Sequence, residues 1–266
     1  MQKYDFPSGK LDQERLDIQH ICYSKGNFTV LKECLISLNQ TVVDAGCGSG
    51  AMTEWLAYQV GPYGKVIALD NDPEQLEVAS SRAKKAGLTN IQFLNVNLEE
   101  DLDDAFKADI TFCSMVLTHL KNKQTGVKNL AKFTKKDGYV VAADPINAMC
   151  WVSPDNRAYN KIFDLFIDYA MHKSFNANFG MQSGSIFLES DSFSAMTVEG
   201  YQPITNIPTL KSYIRRGWEH FRDNVVERHV LTQEEQQQLS QELDNMINSE
   251  AFTFGLPINT IVKARV

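Results

Sequence analysis

Thr41-Val42-Val43-Asp44-Ala45-Gly46-Cys47-Gly48-Ser49-Gly50-Ala51 runs from an apolar, β-branched stretch into three glycines at alternate positions, and Thr53 to Val60 then reads as a helix. A strand that ends in glycines and opens a helix offers backbone N–H groups to a ligand. No Cβ stands in the way, and the first N–H groups of a helix have no partner within it. Downstream, Gly61-Pro62-Tyr63-Gly64 is a turn and Lys65 to Asp70 a second strand. Asp72-Pro73-Glu74-Gln75 supplies an acidic N-cap, proline at the first helical position and Gln at the third, which predicts a helix to about Ala86 that stops at Gly87. Ile91 to Val96, Ala108 to Ser114 and Tyr139 to Ala143 are three more strands, with a helix over Val127 to Phe133 and a turn at Lys135-Lys136-Asp137-Gly138. Strands alternating with helices at this spacing imply βαβ units and a parallel sheet.

The flanks differ in texture. Leu11, Arg15, Ile18, Gln19 and Cys22 recur at helical spacing, and a second helix is predicted over Phe28 to Leu38. After Asp144 the alternation stops. An amphipathic helix is expected over Asp155 to Met171, a sixth strand within Ser194 to Ile204, and a helix over Leu210 to Val225. Thr232-Gln233-Glu234-Glu235 is a capping box opening a helix to about Asn248, and Asn259 to Ala264 is a closing strand. The expected organisation is one α/β domain: a helical cap over 1–40, a core over 41–144, a lid insertion over 145–195 and a C-terminal part of the core over 196–266.

Lys plus Arg is 26 and Asp plus Glu is 33 in 266 residues, so the net charge is 26 − 33 = −7. An acidic chain is poorly suited to a non-specific grip on nucleic acid, which needs clustered cations. The dense basic run is Lys121, Lys123, Lys128, Lys132, Lys135 and Lys136, and on a helix such a run is usually a solvated face. Cys22, Cys34, Cys47, Cys113 and Cys150 are odd in number and none are spaced Cys-x-x-Cys, which argues against a disulfide framework and a zinc knuckle. Met1 to Lys10 lacks the apolar core of a signal peptide, and no apolar run is long enough to span a bilayer. A cytoplasmic setting is expected.

Two ligands compete for the glycine loop. Gly46, Gly48 and Ala51 fit the G-x-G-x-x-A dinucleotide fingerprint. Asp44-x-Gly46-x-Gly48-x-Gly50 fits a nucleoside joined to an amino acid. Asp44 favours the second, because a carboxylate at the strand end repels a pyrophosphate and suits a positive amino group.

With these residues the chain resembles the class I S-adenosylmethionine-dependent methyltransferases, and within them the small-molecule branch. Val43-Asp44-Ala45-Gly46-Cys47-Gly48-Ser49-Gly50 matches their cofactor loop Asp/Glu-x-Gly-x-Gly-x-Gly, and 40–145 carries the resemblance. It implies a Rossmann-like fold: a mainly parallel seven-stranded sheet, helices on both faces, N-terminal helices and a helical lid after strand five. It implies S-adenosylmethionine as cofactor and S-adenosylhomocysteine as product. Carried onto this sequence, the cofactor residues are Gln19, Asp44, Ala45, Gly46, Gly48, Asp70, Asn71, Asn97, Leu98 and Ser114. Asp70 would accept from the ribose hydroxyls, although a dinucleotide enzyme places an acid similarly. Asn97 and the Leu98 N–H would read the adenine. Val96-Asn97 departs from the usual Gly-Asp, and Asp137 replaces a glycine or proline before strand five.

Ser114-Met115-Val116-Leu117-Thr118-His119-Leu120 resembles the segment lining the methyl-transfer site, which makes His119 the candidate base. The plainer reading, that His119 starts or caps a helix, is the favoured one. Arg15 and Gln19, one turn apart, could hold the cofactor carboxylate. His172 in the insertion is a further candidate against a plain surface role. No metal is expected. Ser114-Met115-Val116-Leu117 stands where amino-methylating enzymes of flipped DNA bases carry Asp/Asn-Pro-Pro-aromatic, and no Pro-Cys nucleophile is present.

Between Ala148 and Met196 lie Trp151, Phe163, Phe166, Tyr169, Met171, Phe175, Phe179, Met181, Phe187 and Phe193, a set that suits a lid over a hydrophobic or aromatic small molecule. The expected partner is that small molecule, with no nucleic acid and the chain a monomer or homodimer. Methylation of a protein or RNA, and cofactor binding without catalysis, remain open alternatives.

Overall fold

A computed structural model describes residues 12–103, 106–173 and 175–266. Helix α1 (Gln13–Glu33) leads to β1 (Thr41–Ala45), α2 (Ala51–Val60), β2 (Lys65–Asp70), α3 (Pro73–Lys85), β3 (Ile91–Asn95), β4 (Ala108–Ser114), α4 (Lys123–Phe133) and β5 (Thr134–Ile146). Then come β6 (Trp151–Ser153), α5 (Arg157–His172), α6 (Ser183–Glu189), β7 (Ala195–Tyr201), β8 (Ile204–Thr205), α7 (Pro208–Glu227), α8 (Gln233–Asn248), β9 (Thr253–Gly255) and β10 (Ile258–Arg265). Seven strands form one sheet in the order β3-β2-β1-β4-β5-β10-β7. The pairs from β3 through β5 are parallel, and β10 runs antiparallel to both β5 and β7.

Strand alternation divides the core in two. Val42, Val66, Ile110, Phe112, Val141 and Ala143 pack against α1 and α2, whereas Val43, Ala45, Ile67, Cys113, Val140 and Ala142 pack against α4 and α6. Each strand is therefore apolar on both sides, as a doubly covered parallel sheet requires. A third cluster lies over the C-terminal ends of the parallel strands and joins α1, α5, α7 and α8 through Tyr23, Ile162, Trp218, Phe221 and Leu243. Buried Lys211 ties this layer together, its ammonium donating to the Met246, Ser249 and Phe252 carbonyls at 3.0, 2.7 and 3.3 Å.

The two helix caps read from sequence hold. Asp72 Oδ1 accepts the Glu74 N–H at 2.8 Å, and Thr232 with Glu235 forms a complete capping box. Three expectations change. The two helices predicted before β1 are one, because Gly26 lets the helix pass beneath Tyr201: a Cβ there would lie 2.6 Å from the ring. Leu11 lies outside the described residues. The predicted turn at Lys135–Gly138 is absorbed into β5 as an irregularity in its pairing with β4, with Asp137 left-handed at φ 66°. Finally, Ile204 does not extend β7 but joins a small second sheet, β6-β9-β8, that sequence periodicity did not reveal. All five cysteines are free, and no helix among the described residues is long and apolar enough to cross a membrane.

Candidate functional site

The glycine loop folds back onto β2: the Gly46 and Cys47 N–H groups both donate to Leu69 O, at 2.7 and 2.8 Å. Gly46 is left-handed at φ 78°, and a Cβ there would stand 2.1 Å from Val116 Cγ2. Glycine is required at that position for conformation and for space. Asp70 completes the loop. One carboxylate oxygen accepts the Gly48 N–H at 2.8 Å and the other the Asp72 N–H at 3.0 Å. Burial pushes its carboxyl up, while these two amides pull the other way. Asp44 is 2% exposed and accepts the Thr53 hydroxyl at 2.5 Å. Burial drives its carboxyl up to about 7 against that hydrogen bond.

Helix α1 closes one side. Arg15 grips both oxygens of Asp12 at 2.6 Å and donates to Gln19 Oε1 at 3.1 Å. Arg82 of α3 reaches across, donating to the Ser49 carbonyl at 3.0 Å and pairing with Asp17 of α1. The glycine loop and its covering helix are thereby held by one guanidinium.

Beside the loop, with Val116 against Gly46, runs the turn after β4. Met115 is left-handed at φ 56°, and Leu117–His119 forms a single 3-10 turn. The His119 ring lies 5.5 Å from Phe175, centroid to centroid. Enclosure in protein, then the Arg15 and Lys123 charges, lowers its pKa to about 3, so the imidazole is neutral.

These parts enclose a cavity of about 280 Å³. Gln19, Asp44, Gly46, Gly48, Asp70, Asn71, Leu98, Ser114 and His119 line it together. Two expected residues do not. Ala45 is packed inside the sheet, and the Asn97 side chain turns back on its own chain, accepting the Glu99 N–H at 3.0 Å and donating to Glu100 at 3.2 Å. His172 is exposed and outside the lining. Of the aromatic and methionine residues expected in the lid, Phe163, Phe166 and Phe175 reach the cavity, while Phe179 and Phe187 pack under the sheet and Met171 and Met181 are exposed. The rest of the apolar wall was missed from sequence. Tyr213, Ile214, Trp218 and Phe221 come from α7, whose apolar spacing signalled a helix without saying what it faces.

The profile of the methyltransferase domain family matches residues 36–198. The chain belongs to this family, whose methyl donor is S-adenosylmethionine. Among curated relatives, the demethylmenaquinone methyltransferase of Lactococcus lactis subsp. lactis is 28% identical over 131 residues, which is 49% of this chain and 50% of the relative. The chain thus spans about half the length of that relative. Among solved structures, the YcgJ protein of Bacillus subtilis superposes with a TM-score of 0.57 at 19% identity, covering 89% of this chain and 96% of its own. The phosphoethanolamine N-methyltransferase 2 of Haemonchus contortus, in complex with S-adenosylmethionine, gives 0.57 at 18% identity, covering 91% and 52%. At such identities the likeness shows the fold. The residues present fit the family's cofactor: Gly46 and Gly48 border the cavity without a side chain, and Asp44 and Asp70 both reach it from adjacent strand ends.

Proposed function

We propose that this chain moves a methyl group from S-adenosylmethionine to an O, N or C atom of a small hydrophobic or aromatic molecule. The observation that carries this is one cavity lined both by the glycine loop with its carboxylates and by Phe163, Phe166, Phe175, Tyr213, Trp218 and Phe221. In this reading Asp70 takes the ribose hydroxyls and Asp44 the amino group. Gly46 and Gly48 admit close backbone approach, and Asn71, Leu98, Ser114 and Gln19 frame the rest. Adenine recognition falls to the Leu98 N–H, because the Asn97 side chain is engaged elsewhere.

When bound, the cofactor supplies an electrophilic sulfonium methyl group; the protein aligns the acceptor and excludes water. A dedicated base is needed only for an acceptor that arrives protonated. The aromatic wall offers a flat apolar acceptor both area and ring contacts. The same reading keeps the chain as one domain, with α7 and α8 joining the lid. Charge also counts against an RNA groove: Lys132 pairs with Asp101 and Lys135 with Asp109, so part of the basic run is neutralised locally.

Calorimetric titration with S-adenosylmethionine, S-adenosylhomocysteine and NADH tests the cofactor. Micromolar binding of the first two and silence from NADH is the expected result; NADH binding alone overturns it. Transfer of a labelled methyl group to a panel of hydroxylated and amino aromatics then tests the acceptor class.

A further inference from the structure

Asp144 lies near the end of β5 and is fully buried. Its Oδ1 accepts the Thr118 N–H at 3.0 Å, and its Oδ2 is buried with no hydrogen-bond partner. One residue earlier, the Ala143 carbonyl accepts the Met115 N–H at 2.7 Å. Two consecutive residues of one strand therefore clamp both ends of the Met115–Thr118 segment. The segment needs a clamp, because left-handed Met115 costs roughly 1–2 kcal/mol and persists only where its surroundings impose it. Thr118 passes the constraint outward. Its hydroxyl donates to Asn176 O at 2.6 Å, and its carbonyl accepts the Asn176 N–H at 3.3 Å. The neighbours of these two residues, His119 and Phe175, carry the rings that meet at the cavity wall.

We propose that Asp144 is a positioning residue: its carboxylate fixes the Met115–His119 turn and, through Thr118, the Phe175 segment of the lid, while itself lying behind the cavity lining. That this wall faces the transferred methyl group rests on the function proposed above; the clamp does not. An apolar residue would satisfy burial at this position, but it would leave the Thr118 N–H without its acceptor. Burial also drives the carboxyl up to about 7, opposed by the Thr118 N–H and by the Lys123 ammonium on α4. Cys113 on β4 is a further titratable neighbour, and β10 lays Thr260 alongside. A charged carboxylate accepts an N–H more strongly than a neutral acid, so the clamp tightens as pH rises through neutrality.

The test follows the Thr118 and Asn176 backbone amides by NMR across the neutral range, in the full chain with and without S-adenosylhomocysteine. In the unsubstituted protein the Thr118 signal is expected to titrate with one midpoint near pH 7. In Asp144→Asn, which keeps an acceptor oxygen and cannot ionise, that step vanishes and the signal stays near its low-pH position. In Asp144→Leu both amides move. A Thr118 signal that ignores pH, or that titrates equally in Asp144→Asn, overturns the proposal, and neither reading depends on the leucine variant folding. Absence of S-adenosylhomocysteine binding would sink the proposed function alone, since the ligand-free titration still reads the clamp.

Discussion

Asp70 and Gly48 are joined by an N–H···O bond of 2.8 Å that spans the gap between the ends of β2 and β1. The acid expected to serve a ligand's ribose therefore also builds the loop that holds the rest of the ligand. Each of its oxygens takes one backbone N–H and keeps a further lone pair for the cavity. Replacing Asp70 by alanine strips two charge-assisted bonds from the loop along with the ligand contacts. The expected loss is about 3 kcal/mol, or roughly 100-fold in affinity for S-adenosylhomocysteine. Calorimetry reads it directly, and unchanged affinity would sink the cofactor assignment.

Gly46 and Gly87 form a matched pair. Both are left-handed, at φ 78° and 70°, but a Cβ at Gly46 meets Val116 at 2.1 Å and one at Gly87 meets nothing within 4 Å. Gly87→Ala isolates the conformational cost, about 1 kcal/mol in denaturant unfolding, and leaves ligand affinity intact. Gly46→Ala adds a steric clash that displaces Val116 and the loop together. It is expected to cost more than about 3 kcal/mol and to abolish binding. Equal effects from the two variants would refute the steric account.

The loop could be read from sequence because its determinants are local. Glycines at alternate positions, an acid before them and an acid closing the next strand fix a conformation within a short span. Asn97 resisted that reading because its position matched the family pattern while its orientation is set by its own neighbours, Glu99 and Glu100. The α7 wall resisted it for another reason. Tyr213 and Trp218 line the same cavity as the glycine loop from far along the chain, and amphipathic spacing tells that a helix buries a face without naming the partner. Likewise the sequence predicts two helices before β1, and the Tyr201 ring against Gly26 is a contact that helical spacing does not foretell.

The Asp44 carboxyl, pushed up to about 7 by burial, makes ligand binding pH-dependent. An ammonium partner prefers the charged form, so below neutrality binding must first expel a proton. Affinity is expected to fall by about tenfold per pH unit below 7 and to level off above it. For the ligand-free protein the sign is opposite. A folded-state pKa above the ordinary value of 3.8 means that between about pH 4 and 7 the folded chain holds a proton the unfolded chain has lost. Asp44 therefore lowers stability as pH rises through that window, and Asp144 acts in the same direction. Asp44→Asn removes both dependences at this position. Thr53→Ala removes a hydrogen bond that favours the charged form and shifts the affinity curve to higher pH. Calorimetry in buffers of different ionisation enthalpy counts the released proton; zero release near pH 6 would contradict the assignment.

His119 lines the cavity from the turn after β4, and its surroundings argue against a role as base. Enclosure, Arg15 and Lys123 together hold its pKa at about 3, so the neutral imidazole is far too weak a base to draw a proton from a hydroxyl acceptor of ordinary acidity. A lowered histidine pKa also means that the folded state resists protonation. Its contribution to stability is intact above about pH 6.5 and is lost as pH falls toward 3. The ring packs against Phe175, 5.5 Å away centroid to centroid. His119→Asn is accordingly expected to keep methyl transfer within about tenfold of the unsubstituted protein, because alignment is perturbed while no proton relay is removed. The His119 ring proton signals should stay flat from about pH 5 to 8. A titration near the ordinary value of 6.5, or a loss of about 1,000-fold in rate, would reinstate His119 as the base.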